Sequence, residues 1–489
     1  MTIGAHSLKY ARMNAPVQSP SDPVGLPTGG APENRSLGQR LALLKDKNFL
    51  TYWISGNISW FGDLFAMIAM PLLIINMTDN DASALGTVMA VSGIPRVVFI
   101  LMGGVLIDRF SAYKMVMLAR ILMAVTQLSL AVVAMLGMVE MWMVYVVATV
   151  GGTVGAFLFP AQMTLMPSVL EEDDLPSGNA LNTTAQQALQ SFAPMVVGFL
   201  IAFLSGYDIM AAEGHQGDPA QELVAYGYAF LINAGTFVIS AFMLSRVVVR
   251  PSEPVEQHED MLSSILTGFQ AVWQDAPLRA FIIYIALSQL FMMGNIMVGQ
   301  PMMATLRVDM YDLPAAAIVG LFGACSGVGA VIGSLVAGFF ARPSDAFYGP
   351  MMMLIAAFRG ATMLALGYFT DLISVLVLYG CFGLFMGYTS VFFMTWMQTR
   401  VDISLLGRMM SVMMFAMMGV APISAAMWGW GIDAGGLESL YYISGIVMMM
   451  VAIGGMLSPS IRLMGYSPAY ARHVRHERLA AKGKIKHPG

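Results

Sequence analysis

Asp63 and Arg96 each interrupt a run of apolar residues long enough to cross a lipid bilayer. Charge at that depth is costly and rare, and it marks a transport route, a relay or a structural pair. Asp63 lies fourteen residues beyond Phe49, about 21 Å along a helix. Arg96 lies twelve residues before Asp108, about 18 Å. Both depths fall near the middle of a bilayer, and the two runs are consecutive, so the carboxylate and the guanidinium are expected to pair. The chemistry this permits is proton exchange. Arg96 holds the carboxylate, and a substrate group that draws Arg96 away leaves Asp63 to take up a proton. A static ion pair that joins two helices fits the same residues equally well.

Polar residues recur inside other apolar runs. Asn57, Gln186, Gln190, Gln289, Asn295, Trp396 and Gln398 are the candidates for a substrate pocket. Gln186 and Gln190 share a helical face that Thr183 extends. A polar stripe facing lipid would go unsatisfied, so it points inward. Bonding between helices is the competing role for each of these residues. Arg359 has no acid at its depth in its half of the chain and reads as structural.

Other chemistries lack their residues. Cys325 and Cys381 lie in apolar runs and the six histidines form no cluster, which points away from a disulfide framework and from a metal site. No Walker loop or dinucleotide-type glycine loop is present, so an ATP-driven pump is disfavoured and no cofactor is expected. No nucleophile, base and orienting group gather at one membrane face, so an enzyme is not expected. The 45 methionines supply adaptable apolar surface, for lipid or for a promiscuous pocket. No methionine set joined by His or Cys argues for copper or silver.

The elements that must position these residues are transmembrane helices. The chain is 57% hydrophobic and 11% charged, where a soluble domain carries about 25% charge. Twelve apolar runs, from Phe49–Met77 through Leu181–Leu204 and Met409–Trp430 to Leu440–Leu457, each suit a bilayer of about 30 Å. They are too long and too uniformly apolar for barrel strands. With both termini cytosolic, all but three of the 25 Lys and Arg residues fall on the inner side; Arg307 falls outside, and Arg96 and Arg359 fall within spans. The expected organisation is a disordered cytosolic tail (1–48), a six-helix half (49–248), a cytosolic linker (249–277), a second six-helix half (278–460) and a basic cytosolic tail (461–489). Glycines spaced by four, at Gly151 and Gly155, Gly323 and Gly327, Gly329 and Gly333, and Gly383 and Gly387, suit close helix packing.

The loop after the second run reads Gly104-Val105-Leu106-Ile107-Asp108-Arg109-Phe110-Ser111-Ala112-Tyr113-Lys114. It resembles the signature loop of the major facilitator superfamily in its first Gly, its acid and the following Arg. Ser111 replaces the second Gly, and Ala112 and Tyr113 replace the basic pair. Three further stretches resemble the drug and siderophore exporter branch, which includes macrolide-efflux and enterobactin-exporter proteins. They are Asn48-Phe49 through Ser59-Trp60-Phe61-Gly62-Asp63, Pro167-Ser168-Val169-Leu170 through Asn179-Ala180-Leu181-Asn182, and Gly407-Arg408-Met409-Met410-Ser411-Val412 with Pro422. The resemblance covers residues 45 to 460. It implies an all-α membrane protein of twelve helices in two six-helix halves, in the inner membrane. It implies a monomeric secondary transporter that exports a small amphipathic molecule against proton uptake, with no nucleic-acid partner. It also makes Gly104, Asp108 and Arg109 a conformational switch that clamps one half against the other. The span-five Gly-Pro motif of antiporters is reduced here to Ala193-Pro194 and Gly198. An importer or lipid translocator of the same fold, and a non-transporting sensor or assembly partner, therefore stay open as alternatives.

Overall fold

A computed structural model describes residues 41–109, 111–207, 219–250, 270, 273–339, 344–400 and 403–466. Among these no strand occurs. In lipid every backbone N–H and C=O must find a partner inside its own segment, and the helix supplies that. The long helices are α1 Lys47–Met77, α2 Ala82–Arg109, α3 Ala112–Met135, α4 Met141–Leu165, α5 Leu175–Leu204 and α6 Pro219–Leu244. They continue as α7 Ala276–Leu306, α8 Ala315–Phe339, α9 Asp345–Tyr368, α10 Leu372–Arg400, α11 Ile403–Gly435 and α12 Leu437–Leu457. Eleven of these carry stretches long and apolar enough to cross a membrane, and α11 adds a twelfth helix of 33 residues.

Apolar runs locate these helices but not their ends. α5 starts at Leu175 rather than Leu181, and α11 extends beyond Met409–Trp430 at both ends. Helical bonding continues past the hydrocarbon, where polar residues are solvated. Short acidic caps set some of the starts: Asp46 accepts from the Asn48 N–H, and Asp275 from the Leu278 N–H. The tail expected over 1–48 lies outside the described residues as far as 40, and Lys47 and Asn48 already belong to α1. Most of the linker also lies outside them, as does the C-terminal tail beyond 466. The last described residues are anchored, with Met464 fully buried.

Both described termini lie at one end of the bundle, here the terminal end; the loops around Asp81, Gly206 and Asp312 form the distal end. The two six-helix halves meet along two seams, α2 against α11 and α5 against α8. Glycine makes both. A Cβ on Gly86 would stand 2.6 Å from the Ala425 carbonyl oxygen, and one on Gly429 2.5 Å from that of Ala82. On the second seam, a Cβ on Gly198 would stand 2.3 Å from the Ala316 carbonyl oxygen, and one on Gly320 2.5 Å from that of Pro194. The four-residue glycine spacing of α8 serves two neighbours. Gly323 and Gly327 face α5, and Gly329 and Gly333 face α10.

Candidate functional site

α1 and α6 meet closely at Gly62, where an added Cβ would lie 2.7 Å from the Asn233 side-chain oxygen. That contact places Asp63 beside Asn233. Arg96 on α2 rests its guanidinium over Gly155 of α4; a Cβ there would stand 2.9 Å from a terminal guanidinium nitrogen. Asp63 and Arg96 feel each other's charge but close no salt bridge. The Arg96 Nε is buried and has no hydrogen-bond partner. The expected direct pair is thus a near pair. The missing side chain of Gly155 gives Arg96 somewhere else to lie.

Arg120, one of the cations counted on the inner side, is 2% exposed. It donates to the Ser55 hydroxyl at 3.1 Å and to the Ser240 carbonyl oxygen at 3.0 Å, joining α1, α3 and α6. Ser240 donates in turn to the Ser55 carbonyl oxygen. The missed signal was Asn233, Thr236 and Ser240, three polar residues on one face of α6.

A second missed residue closes the distal end. Asp433, near the end of α11, accepts from the Ala82 N–H at 3.2 Å and the Ser83 N–H at 2.9 Å. These are the first free N–H groups of α2, where a carboxylate is favoured. The α2 start also carries its own cap, since Asp81 accepts from the Ala84 N–H at 2.9 Å and the Ser83 hydroxyl at 2.7 Å. On the other seam, Tyr207 donates to the Asp312 carbonyl oxygen at 2.6 Å.

The pocket candidates separate. Asn57 donates to the Trp53 carbonyl oxygen one turn back, and its own oxygen has no partner. Gln190 and Thr183 are exposed on the terminal half of α5, and Gln186 is half-buried. Gln289 is buried with its Nε2 unpartnered. Asn295 is fully buried where α7 widens into a π turn, Asn295–Gly299. Tyr441 donates to its side-chain oxygen, and Tyr379 bonds to Tyr441. Trp396 takes no part in this group. It is buried at the terminal end, donates to the Met464 carbonyl oxygen at 2.7 Å and holds the chain after α12. Gly104, Asp108 and Arg109 lie in the last turns of α2; their side chains, and that of Gln398, are outside the described set.

Two glycine seams between six-helix halves, with ionisable residues deep in the first half, define a polytopic membrane transporter rather than an enzyme. The Major Facilitator Superfamily model matches residues 52–426, and the chain belongs to that family. It is 26% identical over 344 residues to the enterobactin exporter EntS of Shigella boydii serotype 18, covering 70% of this chain and 74% of that one. The fold is similar to that of the nucleoside transporter NupG, with a TM-score of 0.64 at 14% identity over 84% of this chain and 98% of that one. It is also similar to a bacterial homologue of the iron transporter ferroportin in an inward-facing state, with a TM-score of 0.60 at 14% identity over 87% and 100%.

Proposed function

We propose that this chain is a secondary active exporter of a small amphipathic molecule, working by alternating access and driven by proton uptake at Asp63. The observation that carries the reading is the near pair: a carboxylate deep in α1, within charge range of Arg96 but free of a salt bridge to it. A proton site must be able to lose its counter-charge, and a closed bidentate pair would resist that. The excess of Lys and Arg at the terminal end supports cytosolic termini in a protein of the cell's inner membrane. The distal end is then the outer face, held shut by Asp433 and the glycine seams, and the substrate enters from the cytosol. The exposed polar residues on the terminal half of α5, Thr183, Gln187 and Gln190, suit a wetted inner vestibule. The matched relative named as an exporter supports the outward direction.

Import is the second reading, favoured by the reduced motif around Pro194 and by the similarity to a D-xylose-proton symporter, TM-score 0.62. One assay separates them. Accumulation of dyes, macrolides and siderophores is measured in cells with and without the chain. Lower accumulation with the chain supports export. Higher accumulation reverses the direction, and equal accumulation across the panel favours a non-transporting role.

A further inference from the structure

Arg359 sits fourteen residues into α9, about 21 Å from its start, and is 7% exposed. A guanidinium there demands acceptors, and the chain withholds them. It donates to the Met292 thioether, a weak acceptor, stands 5.6 Å from the Phe382 ring centroid, and has the Tyr284 hydroxyl within range of its charge but not hydrogen-bonded to it. Its Nε has no partner. Away from their ends, α7 to α12 contain no Asp or Glu at all. Arg120 is the instructive contrast: equally buried, it donates to two oxygens from neighbouring helices.

The groups around Arg359 carry the same imbalance. Gln289, Met292 and Asn295 recur at three-residue spacing on one face of α7. The Gln289 Nε2 and the Asn295 Nδ2, which flank the Met292 contact, are both buried and unpartnered. Trp428, which packs against Gly294 and Gly299, has an unpartnered Nε1 as well. An unpaired buried charge is strongly unfavourable, and each unpaired buried donor adds its own desolvation penalty. The described residues give no acceptor to the Arg359 Nε, the Gln289 Nε2 or the Asn295 Nδ2, so an oxygen from outside the chain would complete what the protein leaves open. Met292 is a flexible side chain that can swing aside, and the π turn at Asn295 loosens α7 next to it. In the first half Asp63 lies within charge range of Arg96, and Arg120 has two oxygens to donate to; among the described residues Arg359 has neither an acid nor an oxygen as a hydrogen-bond partner.

We infer that Arg359, with Gln289 and Asn295, forms a donor-only subsite that receives an oxyanion of the transported molecule, a carboxylate or an ionised phenol. This rests on the transport reading and narrows the amphipathic substrate to an organic anion. Its apolar remainder would meet the Phe382 ring.

The test is equilibrium binding of a matched probe pair, 2-naphthoate and its neutral amide, to the purified full-length chain. A charge-assisted pairing in a buried site predicts naphthoate binding roughly 10- to 100-fold tighter than the amide. Arg359→Gln abolishes the difference, and Arg359→Lys keeps the charge and retains part of it. Equal affinity of the wild type for both probes overturns the inference, as does discrimination that survives in Arg359→Gln; water as the sole acceptor gives the first of these results. Should Arg359→Gln not fold, discrimination that survives in the uncharged Arg359→Met overturns it instead. Gradient-driven flux of the dye, macrolide and siderophore panel, with charged and neutral members, is read in parallel in proteoliposomes. It persists if only the subsite is wrong, and it vanishes with discrimination intact if only the export reading is wrong.

Discussion

At the scale of single residues, the bundle treats its buried arginines differently, and the difference sorts structure from function. Arg120 is satisfied by Ser55 and Ser240 and joins three helices. Arg120→Met should therefore lower stability by about 1–3 kcal/mol, read as an earlier thermal midpoint, with the pH dependence of transport unchanged in the surviving folded fraction. Arg96 rests on Gly155 without a full set of partners. Gly155→Ala sets a Cβ 2.9 Å from its guanidinium and should slow gradient-driven flux several-fold while leaving the protein folded; an unchanged rate would mean that the resting place of Arg96 is irrelevant. The sequence displayed Asp63 and Arg96 plainly, because a charge in an apolar run stands out. It counted Arg120 with the inner-side positive charge and gave no sign of its burial, because a cation near a helix end is the ordinary pattern of a membrane boundary. It passed over Asn233 because an amide in a helix of 26 residues is a weak signal until its spacing to Thr236 and Ser240 is noticed.

At the scale of elements, helix ends and glycine seams decide which conformations the halves can share. Asp433 holds the α2 start from across the seam. Hydrogen bonds to a charged group contribute about 1.5–3 kcal/mol, so Asp433→Ala should raise the population opened at the distal end roughly tenfold or more. The readout is the rate at which an outside-added thiol reagent labels a cysteine placed at Ser83. A labelling rate equal to that of the cysteine-bearing parent would show that Asp433 holds nothing shut. Gly86→Val acts on the same seam by bulk, since its side chain meets the Ala425 backbone; it should speed labelling at the same site and abolish transport. Asp81 caps α2 within its own half. Donation from Ser83 and the Ala84 N–H holds its carboxyl below the usual carboxylate range. A lowered folded value means the cap contributes fully above the ordinary carboxylate pKa of about 4 and is lost as pH falls through the lowered value. Asp81→Ala should then cost about 1 kcal/mol near neutral pH and progressively less in acid, read from thermal midpoints across a pH series. The four-residue glycine spacing was legible in the chain. Which neighbour each pair faces was not, because that depends on how α8 is rotated between α5 and α10. The π turn of α7 left no mark in the sequence.

At the scale of the whole molecule, composition and periodicity were enough to give the class, twelve helices in two halves, because a bilayer admits so few backbone solutions. The seams α2–α11 and α5–α8 and the distal latch are products of tertiary packing, and a run of apolar residues does not encode its partner. The account that joins the scales is one of two halves rocking about the seams, with a proton at Asp63 and a substrate anion in the second half biasing the exchange. Its most direct test is flux in proteoliposomes under an imposed pH gradient, comparing the wild type with Asp63→Asn and with the double change Asp63→Asn and Arg96→Gln. The account predicts gradient-driven flux in the wild type, and its loss in the single and the double change with both variants folded. Flux in Asp63→Asn that still follows the gradient, or full recovery of coupled flux in the double change, would contradict it and leave Asp63 and Arg96 as a structural pair.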